Sequence, residues 1–464
     1  LQWIESTIWY PTVLTFGAVS IAFIGVNEAH DMTLASNKLF TLVIVLAIYW
    51  LATFISLKGL DWVGKISKWG GMIGTIIPAG LLIVLGIVYI ASGGHNNMDM
   101  SQGFFPDLTK LDNLVLASGI FLFYAGMEMM GIHVMEVRNP SRNYPRAIII
   151  GSLITVCIFV LGTFSLGFII PAKDISLTQS LLIGFDNYFR YLHMSWASPV
   201  IAVALMFGVL AGVLTWVAGP SKGIYAVGKA GYLPPFFQKA NRIGVQRNIL
   251  LVQGGVVTLL ALLFVVMPSV QSFYQILSQL TVLLYLIMYM LMFSAAIVLR
   301  YKLRDTPRPF RLGRGNGLMW LLGALGFCGA LLAFVLSFIP PAQIQTGSSA
   351  VWYSVLIVGC IVVVAAPFVI YALRKPSWRD PQAAADFAPF HWEAAATAPK
   401  TAPAAATAPR TTSTATPAAA PASKAAPAAA PTAPKAPSAA PKSTPSAPTG
   451  SAAAGNKGGH TPKQ

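Results

Sequence analysis

The chain has 464 residues, 55% of them hydrophobic and 10% charged, with a mean hydropathy of +0.66. This balance excludes a soluble globular protein of this size and requires several runs of about 20 apolar residues, each able to cross a bilayer as a helix. The formal net charge of +16 marks no nucleic-acid partner, because the Lys and Arg residues are dispersed between apolar runs or scattered through the C-terminal segment.

Ten spans are predicted, at roughly 3–26, 39–57, 70–90, 114–134, 147–170, 197–219, 249–266, 273–299, 318–338 and 351–373. The first opens almost at Leu1, with no basic leader or cleavage site before it, so an upstream segment is expected to be missing from this sequence. It carries one acid, Glu5, close to its start. Basic residues follow the even-numbered spans: Lys58, Lys65 and Lys68 after the second, then Arg138, Arg142 and Arg146 after the fourth. Lys222, Lys229, Lys239, Arg242 and Arg247 follow the sixth, and Arg300, Lys302, Arg304, Arg308, Arg311 and Arg314 the eighth. The alternate loops hold only Lys38, Lys110, Lys173 and Arg190. Positive charge concentrates on the cytoplasmic side, so both termini are expected there. The outward face is completed by the loop 92–112, with Asp99, Asp107 and Asp112, and by a short surface helix within 173–196. Cys157, Cys328 and Cys360 all fall inside spans and show no disulfide or metal spacing.

The fourth span is the most informative. Glu128 lies near its middle between Gly126 and Gly131, and a charge at that depth costs about 3 kcal/mol on insertion scales. Glycines on either side allow the helix to break where freed backbone lines an aqueous site, so this span is a candidate binding element. Tyr124 precedes the break as a candidate occluding aromatic. Burial makes Glu128 a candidate proton-sensitive gate; the structural alternative is a carboxyl hydrogen-bonded only to its neighbours. The basic, turn-rich loop from Glu136 to Arg146 places the next helix start at or just after Pro145.

Further along, Trp216 opens the run WVAGPSKG, which ends on Lys222 and Gly223. A tryptophan here either shields an aliphatic or ammonium-bearing substrate or anchors the helix at the interface. Lys222 is a candidate for the cytoplasmic end of a pathway, or marks topology alone. Tyr285 and Tyr289 are four apart on one helical face and lie mid-span, where their hydroxyls need partners. Past the last span, His391 sits in FAPFHWE as a candidate gate titrating near neutrality, against a plain surface anchor. His30, His95, His133, His193 and His460 show no ligand spacing, and no metalloprotease, nucleophile-elbow or phosphate-loop pattern occurs. The expected domains are a transmembrane unit at 1–375, a juxtamembrane segment at 376–399, and an Ala/Pro/Lys-rich tail at 400–464 that lacks the large apolar residues needed to fold.

The pattern G-x-E, then E-x-x-N-P-x-R-x-Y-P-x-A from Glu136 to Ala147, resembles the sixth helix and following loop of permeases of the amino acid/polyamine/organocation superfamily. Within it, the likeness is strongest to bacterial glutamate/γ-aminobutyrate antiporters, and WVAGPSKG resembles the family's eighth-helix signature. The resemblance implies an all-α polytopic membrane fold of two inverted five-helix repeats plus two helices, the ten spans corresponding to family helices three to twelve. The first repeat is then expected to lack its opening two helices. It implies a secondary amino-acid transporter or antiporter of the bacterial inner membrane, with glutamate and γ-aminobutyrate as the pair and a link to acid resistance. Tyr124, Gly126, Glu128, Trp216, Tyr285 and Tyr289 would contact substrate, and Glu128, Lys222 and His391 would gate. The implied partners are an amino acid, the lipid bilayer, protons and a second copy in a homodimer, with no cofactor, no metal and no nucleic acid. One departure stands out: the glutamate exchangers carry an acid one turn before the tryptophan, where this chain has Gly212. The alternative is a truncated, non-transporting remnant or membrane interaction protein; an enzyme is disfavoured by the lack of any paired-carboxylate, metal or nucleophile motif.

Overall fold

A computed structural model describes residues 1–25, 27–98, 107–120, 124–303, 310, 313, 315–341 and 348–380. Asp99, Arg304, Arg308, Arg311, Arg314, the aromatic-histidine cluster around His391 and the tail at 400–464 lie outside the described residues. The regular structure among the described residues is helical: α1 (Gln2–Ala22), α2 (Glu28–Ala35), α3 (Lys38–Leu57), α4 (Leu60–Gly71), α5 (Ile77–Ala91), α6 (Leu111–Ile120), α7 (Pro140–Ile169), α8 (Ser180–Tyr191), α9 (Ala197–Val227), α10 (Arg247–Ala261), α11 (Leu263–Val266), α12 (Val270–Lys302), α13 (Gly317–Leu336) and α14 (Ser349–Ala372).

Eight of the predicted spans coincide with helices long and apolar enough to cross a bilayer. The first predicted span, α1, is not among these eight; its buried hydroxyls give it a more polar character. Ser6, Thr7, Thr15 and Ser20 each donate to the carbonyl four residues back, and Thr12 to the one three back. Such local bonds satisfy the hydroxyls without water. The fourth predicted span is not one helix, as expected from its glycines; α6 stops at Ile120 and a ten-residue 3-10 stretch, Met127–Glu136, takes over after the break.

Two helix starts differ from the sequence-based expectation. The third span begins at Leu60, ten residues before the apolar run, in a first part that exposes Trp62 and Trp69 with Lys58 and Lys68 over their rings. α4 and α5 are joined through a π turn, Met72–Ile76, into one continuous span. The fifth span begins at Pro140 instead of Pro145. Pro140 occupies the first turn, where an N–H has no intrahelical partner, and Pro145 lies inside the helix at the loss of one further bond.

α1, α3, α9, α10, α12 and α14 share the main core, with Tyr10, Leu214, Phe273, Leu283 and Trp352 fully enclosed. A second cluster joins the far end of α1 to α5, α8 and α9 through Tyr89, Phe185 and Tyr188. α8 is the expected short surface helix, but one face is buried rather than merely resting on the membrane. α7 and α14 expose Leu153, Ile154, Val358 and Ile361, as helices bathed in lipid do.

Candidate functional site

The site is built at the break. Gly126 adopts φ +108°, a left-handed conformation that costs a residue with a Cβ about 1–2 kcal/mol. This reversal releases its N–H from helical bonding and swings Glu128 back over it. Glu128 Oε2 accepts from the Gly126 N–H at 3.2 Å and from the Tyr289 hydroxyl at 2.7 Å. Glu128 Oε1 accepts from the Tyr285 hydroxyl, and the Gly126 N–H also reaches the Tyr289 oxygen at 3.1 Å. The two tyrosines stand one turn apart on α12 with ring centroids 5.2 Å apart, so one helical face grips both oxygens of a single carboxyl.

Trp216 of α9 closes the other side. A Cβ on Gly126 would stand 3.1 Å from Trp216 Cζ2, so the glycine permits close approach as well as the backbone turn. Trp216 meets Tyr285 edge-on at 6.3 Å and Trp9 of α1 at 5.2 Å between centroids. Tyr124 packs edge-on against Phe159 of α7. With Ala117, Ile120, Tyr289, Phe293 and Gly329 it lines a cavity of about 450 Å³ between the broken span, α12 and α13.

Five of the predicted residues thus converge, Gly126, Glu128, Trp216, Tyr285 and Tyr289, and Tyr124 flanks them across the cavity. Lys222 lies six residues beyond Trp216, about 9 Å further along α9, and is half-buried. His391 lies outside the described residues. One carboxylate escaped the sequence reasoning. Glu5 of α1 is 2% exposed, and its Oε2 atom accepts no hydrogen bond from the described residues. It lies within electrostatic range of both Glu128 and Tyr285. The signal was present, since Glu5 is an acid in an apolar run, but its nearness to the first residue made it read as terminal.

No group of three or more metal-ligating side chains occurs among the described residues. The arrangement is a hydrogen-bonded carboxyl at a helix break, with aromatic rings against it and a largely apolar cavity alongside.

A family model for amino acid permeases matches residues 1–365. An uncharacterized transporter of Legionella pneumophila is 34% identical over 368 residues, covering 79% of this chain and 78% of that protein. A glutamate/gamma-aminobutyrate antiporter of Lactococcus lactis is 30% identical over 384 residues, covering 82% of this chain and 75% of the relative. An aspartate/glutamate permease from the same species is 25% identical over 361 residues, covering 72% and 71%. With its lipid-facing helices and broken span, the chain is a multi-pass membrane transporter and belongs to the amino acid permease family.

Proposed function

We propose that this permease exchanges amino acids across a bacterial inner membrane, with glutamate and γ-aminobutyrate as the pair and both termini in the cytoplasm. The observation that carries this reading is the cluster of Glu128, Tyr285, Tyr289 and the Gly126 N–H at the break, with Trp216 against it and a cavity of about 450 Å³ alongside. Cavities of a few hundred Å³ suit a small ligand, and freed backbone with aromatic walls can hold the charged and aliphatic parts of a zwitterion. The relative named as a glutamate/gamma-aminobutyrate antiporter supports the choice of pair.

Glu128 acts as a gate. Its carboxyl ties the broken span to α12 through two hydroxyls, and protonating either oxygen turns an acceptor into a donor that the tyrosine donors oppose. Tyr124 covers the cavity side, and Lys222 belongs to the cytoplasmic end of the path. The test is counterflow of labelled glutamate against γ-aminobutyrate in proteoliposomes. Exchange by the wild type, with an altered pH profile in Glu128→Gln, is the expected result; no exchange of either compound would remove the assignment, and a Glu128→Gln profile identical to wild type would remove the gate.

A further inference from the structure

The proposed function leaves one buried acid unused. Both oxygens of Glu128 are engaged, by Tyr285, Tyr289 and the Gly126 N–H. Glu5 lies within electrostatic range of it, 2% exposed, with Oε2 receiving no hydrogen bond from the described residues. Removing an ionised carboxylate from water without a partner costs several kcal/mol or more. A second carboxylate within electrostatic range adds repulsion. Ser6 stands close enough to interact with the Glu5 carboxyl, yet Oε2 receives no hydrogen bond from the described residues. On α1 itself, Ser6 and Thr7 direct their hydroxyls to backbone carbonyls.

Among the described residues, the titratable and charged groups facing Glu5 come from four elements. The broken span contributes Glu128, and α12 contributes Tyr285 and Tyr289. α1 contributes Tyr10 and the amino group of Leu1, and α3 places Tyr49 behind Tyr10. α9 and α10 bring Trp216 and Gln253, which do not titrate, and Gln253 donates to Thr7 and Tyr10. Glu28, His30 and Asp31 on α2 stand beyond the opposite end of α1.

We propose that Glu5 is a proton-binding site of the transport cycle, loading one proton on Oε2 when the recess opens to one side and releasing it to the other. One O–H bond forms and the same bond breaks, so each cycle moves a single proton with the substrate and leaves the chain unchanged. This rests on the reading of the chain as an amino-acid transporter.

Two measurements on the full chain separate the inference from that reading. In proteoliposomes with labelled glutamate and γ-aminobutyrate, an imposed acid-outside gradient should accelerate wild-type uptake. Glu5→Gln should lose about tenfold or more of that acceleration, measured against its own rate at equal pH on both sides. A gradient response retained in Glu5→Gln overturns the proposal, and so does a rise in KM at every pH without loss of the response, which would make Glu5 a substrate contact. The second measurement needs no substrate. The infrared carbonyl band of a protonated carboxyl should be present in the wild type and absent in Glu5→Gln, with Glu5→Asp restoring it at a shifted midpoint. Identical spectra overturn the proposal even if neither amino acid is the true cargo. Should Glu5→Gln fail to fold, Glu5→Asp decides alone, through a displaced pH midpoint or an unchanged one.

Discussion

At the level of single residues, the recess is held by a few bonds whose removal has a definite sign. Tyr285→Phe and Tyr289→Phe each take a hydroxyl from Glu128, and a hydrogen bond to a charged group is worth about 1.5–3 kcal/mol. Because both hydroxyls serve one carboxyl, the double variant should lose less in counterflow kcat/KM than the two single losses combined; strict additivity would separate the tyrosines into independent roles. Gly126→Ala meets both a left-handed backbone and Trp216 at 3.1 Å, so it should lower the Tm in detergent and abolish exchange. A variant with normal exchange would show that the break is not needed. Outside the membrane, burial holds the Asp31 carboxyl above its usual range, with His30 opposing and Asp186 reinforcing the effect. A raised folded-state value means that Asp31 contributes most below about pH 4 and loses that contribution as pH rises through the folded value. Asp31→Asn should therefore gain stability relative to wild type on going from acid to neutral pH, and Tm curves that stay parallel would refute this. Glu128 and the tyrosines were legible in the sequence because an acid between glycines and two hydroxyls at helical spacing both demand partners. Glu5 was an acid in an apolar run like Glu128, but nothing in a linear sequence tells that its Oε2 goes unmatched among the described residues.

At the level of elements, the sequence marked where helices must lie but not where they touch. Gly70 and Gly74, four apart, fall on the face of the third span that meets α9. A Cβ on Gly74 would stand 2.2 Å from the Gly208 nitrogen, and one on Gly70 2.3 Å from the Ala211 Cβ. Small residues at this spacing let two membrane helices bring their backbones together, where packing rather than water exclusion drives association. The pattern is visible in WGGMIGTI, but its partner on α9 is not, because Gly208 and Ala211 lie far away in sequence. Gly208→Val should push the third span off α9 and yield little monodisperse protein by size-exclusion chromatography. Gly255→Ala in α10, where a Cβ meets nothing within 4 Å, should be neutral or gain up to about 1 kcal/mol from helix propensity. Equal behaviour of the two variants would mean that the close approach contributes nothing. The misplaced start of α7 has a similar origin: two prolines five residues apart both fit a first turn, and only packing decides which one begins the helix.

For the whole molecule, orientation is the property most legible from sequence and least visible in packing, since a helical bundle looks much the same from either side. The alternation of Lys- and Arg-rich loops supplies the direction, and the end of the chain supplies a check. After α14, Lys229 and Asp380 pair at 3.2 Å, Gln238 donates to the Trp378 carbonyl at 2.6 Å, and the guanidinium of Arg374 lies 4.1 Å from the Tyr371 ring. The segment following the last span is therefore tied to the loop that carries Lys229 and Lys239, and the two must share one side of the membrane. That side is cytoplasmic if the basic loops follow the usual asymmetry, so a green fluorescent protein fused after Gln464 should fluoresce in intact cells. Alkaline phosphatase inserted in the loop after α5, at Gly94, should be active, and the same enzyme inserted after Lys239 should not. The reverse pattern would invert the transporter, and with it the side from which Glu5 and Glu128 meet an acid medium. A fluorescent C-terminus together with an active insertion after Lys239 would instead contradict the contact between Lys229 and Asp380, because no single orientation satisfies both.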